Sequence, residues 1–197
     1  MNFCHNQKGT LWFDAGPDNV RLLMAKTLSE IELTDHHKLS LFKDGALGPL
    51  LQLLSHDDLE MKTVAVRALQ NLSNLPQNGL QMIKEGALGP LFEILYRHSL
   101  SSSSLREQVA VVIMHLAKST NTQEADHEQI SLLESDEDIF KLFSLISLTG
   151  PDIQRNILQA FCAMCRSSSG PDIRAKLRQV CELSILDMEN PLCSTLG

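Results

Sequence analysis

The sequence predicts an all-α protein, a right-handed solenoid of stacked helical repeats, and three observations carry that expectation. Leu41 to Leu54 returns as Met82 to Leu95, shifted by 41 residues with 8 of 14 positions identical, and a repeated block is the first thing to explain. The amphipathic run from Val20 to Ile31 returns at the same shift, so that Leu23, Met24, Leu28 and Ile31 become Val64, Ala65, Leu69 and Leu72. The 197 residues are 43% hydrophobic with one Tyr, one Trp and seven Phe, an aliphatic composition suited to stacked helices.

In chain order, residues 1–17 hold Gly9, Gly16 and Pro17 and read as a non-repeat segment. Val20, Leu23, Met24, Thr27, Leu28 and Ile31 keep the i, i+3, i+4, i+7 rhythm of an amphipathic helix, with Asp18 as its N-cap. His36 to Lys43 is a short helix, and capping or solvent exposure accounts for His36-His37 at its start. Gly45 supplies a left-handed turn into an apolar helix, Ala46 to Leu54. Pro49 falls in the first turn of that helix, where its missing N–H has no intrahelical partner to lose. Asp57-Asp58 then caps the amphipathic helix carrying Met61 to Leu72. A unit is therefore short helix, glycine turn, apolar helix, loop and amphipathic helix. One unit alone cannot bury that much leucine.

Further units follow with altered spacing. Ala87 to Leu95 repeats the apolar helix, and Ile113 and Leu116 match Leu69 and Leu72 at an offset of 44, the added residues falling in the polar loop Ser99 to Ser104. Ile139 to Ile146 matches Leu47 to Leu54 at an offset of 92, as Phe161 and Met164 match Leu69 and Leu72. The insertion between these units lies in Ser119 to Glu128. A fifth unit begins at Gly170, with Leu183 and Leu186 in the places of Leu47 and Leu50, and stops at Asn190-Pro191. About three complete repeats, with partial repeats at both ends, fill residues 18–186 and leave 187–197 as a tail.

The Gly-Ala-Leu-Gly-Pro-Leu block, followed by Val-Arg-Ala-Leu-Gln-Asn-Leu-Ser, resembles the armadillo repeat, most specifically between residues 35 and 117. A period of 41 also fits the roughly 40 to 47 residues of HEAT and armadillo units and excludes the ankyrin and tetratricopeptide classes. The wording from Leu39 to Asp58 is similar to armadillo arrays of plant proteins that include U-box ubiquitin ligases. This resemblance implies a non-catalytic region for partner or substrate recognition, since no U-box segment is present. The alternative it implies is an accessory component that serves a catalytic U-box on another chain.

In the family's architecture the third helices line a concave groove. The family's groove asparagine falls at Glu30, Asn71, His115 and Ala163, and the tryptophan that importin-alpha-like arrays need four residues earlier falls at Lys26, Arg67, Val111 and Gln159. The mechanism by which such arrays hold basic nuclear-localisation peptides therefore does not carry over. Lys26, Glu30, Arg67, Asn71 and His115 are the candidate partner-binding residues. Their cations at successive repeats suit an acidic or extended peptide, against the plainer reading that Lys and Arg on an exposed helix face solvate it and that His115 is a half-buried polar residue of the groove.

Other chemistry has little to stand on. Cys162 and Cys165 form a Cys-x-x-Cys pair, but Cys181 and Cys193 fit no zinc template, so the pair reads as small helix residues at the places of Gln70 and Ser73. No phosphate loop, nucleophile elbow or paired-carboxylate arrangement is present, and neither catalysis, a cofactor, a metal nor a small-molecule substrate is expected. The formal charge of -7 disfavours nucleic acid. With no signal peptide, no membrane span and Asn2 in place of the myristoylated Gly, a cytoplasmic chain is expected, with nuclear or peripheral plasma-membrane residence as alternatives. Membrane association is not expected of the chain alone. Because the first unit has only its third helix, Leu22, Leu23 and Met24 are expected to be exposed. That implies a fragment of a longer array, a truncated product, or self-association through the array ends.

Overall fold

The computed structural model describes residues 18–97, 102–122, 125, 130, 132–133, 135–167 and 169–188. Outside them lie the segment 1–17, Cys193 and the tail from 189, together with parts of the Ser99 to Ser104 loop and of the Ser119 to Glu128 insertion. The side chains of Cys181, Leu183 and Leu186 are also outside. Among the described residues all regular structure is helical: α1 (Asp18–Glu30), α2 (Asp35–Lys43), α3 (Leu47–Leu54), α4 (Leu59–Ser73), α5 (Pro76–Lys84), α6 (Leu88–Tyr96), α7 (Ser103–Ser119), α8 (Asp136–Leu148), α9 (Pro151–Met164) and α10 (Gly170–Met188). None is long and apolar enough to cross a membrane.

The duplicated block builds the same corner twice. At the end of α2 the Gly45 N–H donates to Phe42 O (3.0 Å) and the Ala46 N–H to Leu41 O (3.0 Å); at the end of α5 Gly86 and Ala87 repeat this with Ile83 O (3.1 Å) and Met82 O (3.0 Å). This is the Schellman pattern, which needs a left-handed residue after the cap. Gly45 has φ of 87° and Gly86 of 78°, where a Cβ would be strained. Each turn delivers the chain into an apolar helix, α3 or α6, in which Leu47, Leu50, Leu53 and Leu54, and then Leu91 and Leu95, are buried.

The long amphipathic helices form the spine. α1 packs on α4, α4 on α7 and α7 on α9, while α2 lies against α5 and α3 against α6. The result is a solenoid whose third helices make a continuous ladder over one aliphatic core, from Ala25 and Leu28 through Leu69, Leu72, Ile113 and Leu116 to Ile157 and Phe161. Burying a Leu or Ile side chain contributes about 1.5–3 kcal/mol. Repeating that along the ladder offsets the ordering cost of short helices that would not form alone. α5 approaches α7 closely because Gly79 has no side chain: a Cβ there would lie 2.8 Å from Ser119 Cβ.

The structure corrects several expectations. Asp18 is not the cap of α1 but lies in its first turn, where Arg21 (3.8 Å) and His56 (3.9 Å) approach its carboxylate. Only Leu23 of the expected exposed trio is open, at 66% exposure; Leu22 and Met24 pack against the core, because the side of α1 that meets α4 takes them in. Thr27 is exposed, its hydroxyl bonded back to Leu23 O at 3.0 Å. The fifth unit does not turn: α10 runs unbroken from Gly170 to Met188, since no glycine after Gly170 can reverse the chain there. Elsewhere Asp58 caps α4, its Oδ1 accepting from the Glu60 (2.6 Å) and Met61 (3.2 Å) N–H groups. Thr34 caps α2 by accepting from the His37 N–H.

Candidate functional site

The candidate residues all lie on the ladder, at two recurring positions. Lys26 of α1 and Arg67 of α4 share one register, followed by Val111 and Gln159; Glu30, Asn71, His115 and Ala163 share the next turn. The side chains there do different things in each unit.

At the α1–α4 junction the polar groups are spent inside the protein. Lys26 Nζ donates to Glu60 Oε1 at 2.7 Å. Asn71 Nδ2 donates to Leu28 O and Ile31 O, both at 3.0 Å, filling carbonyls that the end of α1 leaves without helical partners. The amide donors of Asn71 are thus directed at α1, and its side chain holds neighbouring helices together. Glu30 and Arg67 are exposed.

At the α4–α7 junction different groups converge on the end of α4. Ser73 Oγ lies 2.9 Å from His115 Nδ1, and the next residue, Asn74, receives Lys38 Nζ from α2 on Oδ1 at 3.0 Å. Lys38 is only 6% exposed, although a lysine is rarely so enclosed. Its position at the carbonyl end of α4 favours a cation. The Asn78 amide ties the same corner by donating to Lys38 O (3.2 Å) and Leu72 O (3.1 Å). Burial, then the charges of Lys118 and Lys38, hold the His115 pKa below its ordinary value of 6.5. The imidazole is therefore neutral around pH 7 and serves as a polar link between ladder helices.

Lys38 and Asn78 were not singled out from the sequence. A lysine in a short helix looks solvated until the helix's place against α4 is known. The available signal was register, because Lys38 occupies in α2 the place that Gly79 occupies in α5, and both positions face the end of a ladder helix.

The cysteine pair does not make an activated thiol. Cys162 is exposed and Cys165 half-buried, both free. Burial pushes the Cys165 thiol up more than nearby Arg174 lowers it, and Cys162 adds to the rise. Among the described residues no three His, Cys, Asp or Glu side chains are gathered in a metal-binding group.

Residues 34–74 match the family model for the armadillo/beta-catenin-like repeat. No curated protein matches the sequence significantly. Among solved structures, a computationally designed armadillo repeat protein for modular peptide recognition superposes with a TM-score of 0.70 at 20% identity, covering 91% of this chain and 72% of that one. A designed armadillo repeat protein in complex with the peptide (KR)4 superposes at 0.65 with 19% identity, over 91% and 71% of the two chains. Another designed member gives 0.67 at 19% identity, over 90% and 71%. The fold is an armadillo-type helical solenoid.

Proposed function

We propose that this chain is a non-catalytic recognition module that takes a segment of a partner protein along the concave face of the ladder α1, α4, α7 and α9. The observation that carries this reading is the division of labour within the repeat. Gly45, Gly86, Pro49, Pro90 and the leucines repeat with the scaffold, whereas the ladder register carries Lys26, Arg67, Val111 and Gln159 in turn. Repetition preserves stacking, and variation at one register, exposed at Arg67 and Gln159 and half-buried at Lys26 and Val111, gives each unit its own contact. The structural neighbours support it: one was designed for modular peptide recognition and one holds a peptide. Arg67 is the centre of the proposed surface, with exposed Glu30 at the end of the preceding ladder helix, because Lys26, Asn71 and His115 are engaged within the protein.

The finer reading, kinship with the armadillo arrays of plant U-box ligases, rests on the wording of Leu39 to Asp58. It gives the module the task of presenting a substrate for ubiquitination, in the cytoplasm or at the nucleus or plasma membrane, with the transferase on another chain. Proximity labelling in cells that compares the wild type with Arg67→Glu tests the recognition reading. A set of neighbours lost in the variant is expected, and an unchanged set overturns the groove assignment. Incubation of the isolated chain with E1, E2 and ubiquitin is expected to show no transfer, and transfer would overturn the non-catalytic reading.

A further inference from the structure

The first ladder junction supplies an internal template for what the second lacks. Lys26 reaches across from α1 to the Glu60 carboxylate near the start of α4. One unit on, Lys26 becomes Arg67 and Glu60 becomes Ser104, near the start of α7. The cation is kept and the carboxylate is gone. Arg67 makes no ion pair among the described residues, and neither does Lys118 at the far end of α7. Lys38 has only the neutral Asn74 Oδ1 as hydrogen-bond partner. Glu107, the carboxylate of α7 nearest this junction in register, is exposed and forms no ion pair with Arg67. A chain with 24 acidic residues against 17 basic ones thus has a junction whose cations form no ion pair among the described residues.

We propose that the α4–α7 junction binds an extended acidic segment of a partner, one carboxylate pairing with Arg67 and a second, about four residues along, sitting beside Lys118 over Lys38. This rests on the recognition reading above and names the chemistry of its ligand. The spacing follows from helix and strand geometry. Arg67 and Lys118 differ by seven positions of the shared register, about 10 Å along a helix, and stand on neighbouring helices about 8–10 Å apart; the resulting separation of about 14 Å is spanned by four residues of extended chain, whose side chains then share one face. The first carboxylate occupies the place that Glu60 fills at the preceding junction, where an arginine can hold it by two parallel hydrogen bonds. The second meets Lys118 and Lys38, neither of which forms an ion pair among the described residues.

The test is fluorescence anisotropy with a labelled, capped peptide Gly-Glu-Ser-Ser-Ser-Glu-Gly, its Gln-for-Glu counterpart and an alternating Lys-Arg peptide. The acidic peptide is expected to bind selectively and to weaken with added salt. Arg67→Ser and Lys118→Ser should each cost about tenfold in affinity, Arg67→Lys should restore part of the loss, and Lys43→Ser, at the exposed end of α2, should change nothing. Circular dichroism of each variant confirms that it is folded. Equal binding of the Gln peptide, no binding of the acidic peptide at about 1 mM, the weak end of specific affinities, or indifference to Arg67→Ser overturns the proposal. Preference for the Lys-Arg peptide also overturns it while leaving peptide recognition by the ladder in place. Loss of cellular neighbours in Arg67→Glu without acidic-peptide binding separates failure of this inference from failure of the recognition reading.

Discussion

The α1–α4 and α4–α7 junctions are made from the same register of the same repeat, yet they resolve their polar groups in opposite ways. The first is closed: Lys26 is paired with Glu60, and Asn71 fills the last carbonyls of α1. The second is joined by hydrogen bonds without an ion pair, His115 to Ser73 and Lys38 to Asn74, and leaves Arg67 and Lys118 facing water. Stacking needs only the apolar face, which both junctions share. The polar rim is therefore free to diverge, and in such a solenoid specificity is to be sought where a repeat departs from its neighbour.

The deepest way to break this comparison is to remove what the junctions share. Leu72 is fully buried between them, whereas its register mate Ile31, just past the end of α1, is 46% exposed. Leu72→Ala should cost about 2–5 kcal/mol in urea unfolding, and Ile31→Ala less than about 1 kcal/mol. An equal cost would show that the outer side of α1 is covered. Next comes the corner that holds Lys38. Asn78 is 1% exposed, so Asn78→Ala would leave Lys38 O and Leu72 O without its amide and should cost about 1–3 kcal/mol, with amide exchange quickened at the end of α4.

A pH titration separates the junctions without altering either. The folded pKa of His115 lies below 6.5, so under acid the unfolded chain takes up a proton that the folded protein resists. The stability this residue contributes is complete above pH 6.5 and is lost as pH falls from 6.5 toward the lowered value. The difference in unfolding free energy between wild type and His115→Gln should change in that window and stay level above it. The opposite slope would mean that a carboxylate, not Lys118 and Lys38, faces the imidazole.

The smallest effect on stability comes from exchanging the charges themselves. Glu60→Gln should lose, and Ser104→Glu should gain, no more than about 1 kcal/mol, as for other exposed ion pairs. Binding should respond far more. Ser104→Glu gives Arg67 the carboxylate that Lys26 already has, and it should abolish capture of the acidic peptide while leaving the thermal midpoint nearly unchanged.

The solenoid was legible in the sequence because stacking writes itself as periodicity. Gly45 and Gly86 mark the two corners and the leucines mark the faces, all at a spacing that survives insertions. The candidate site was legible only as a set of positions. Arg67 could be placed on the ladder by register, but the commitment of Asn71 to Leu28 O and Ile31 O spans 43 and 40 residues. No local pattern shows which way an amide points across that distance. Lys26 and Arg67 likewise look alike in sequence, and only the partner across the junction, Glu60 or Ser104, distinguishes them. α10 was misread for a complementary reason: leucine spacing suggested a new apolar helix, but apolar spacing without a glycine carries no instruction to turn.

The twin corners at Gly45 and Gly86 also make the repeat a modular part. Both use the same two backbone hydrogen bonds and closely similar left-handed angles, so the chain leaves each corner in the same direction and each copy hands the next an equivalent frame. An extra copy of the 41 residues from Asp35 to Leu75, inserted before Pro76, would meet the same frame on both sides. It would lengthen the ladder by one helix spacing of about 8–10 Å and duplicate the Arg67 position, making the reach of the binding face a matter of how many copies are inserted.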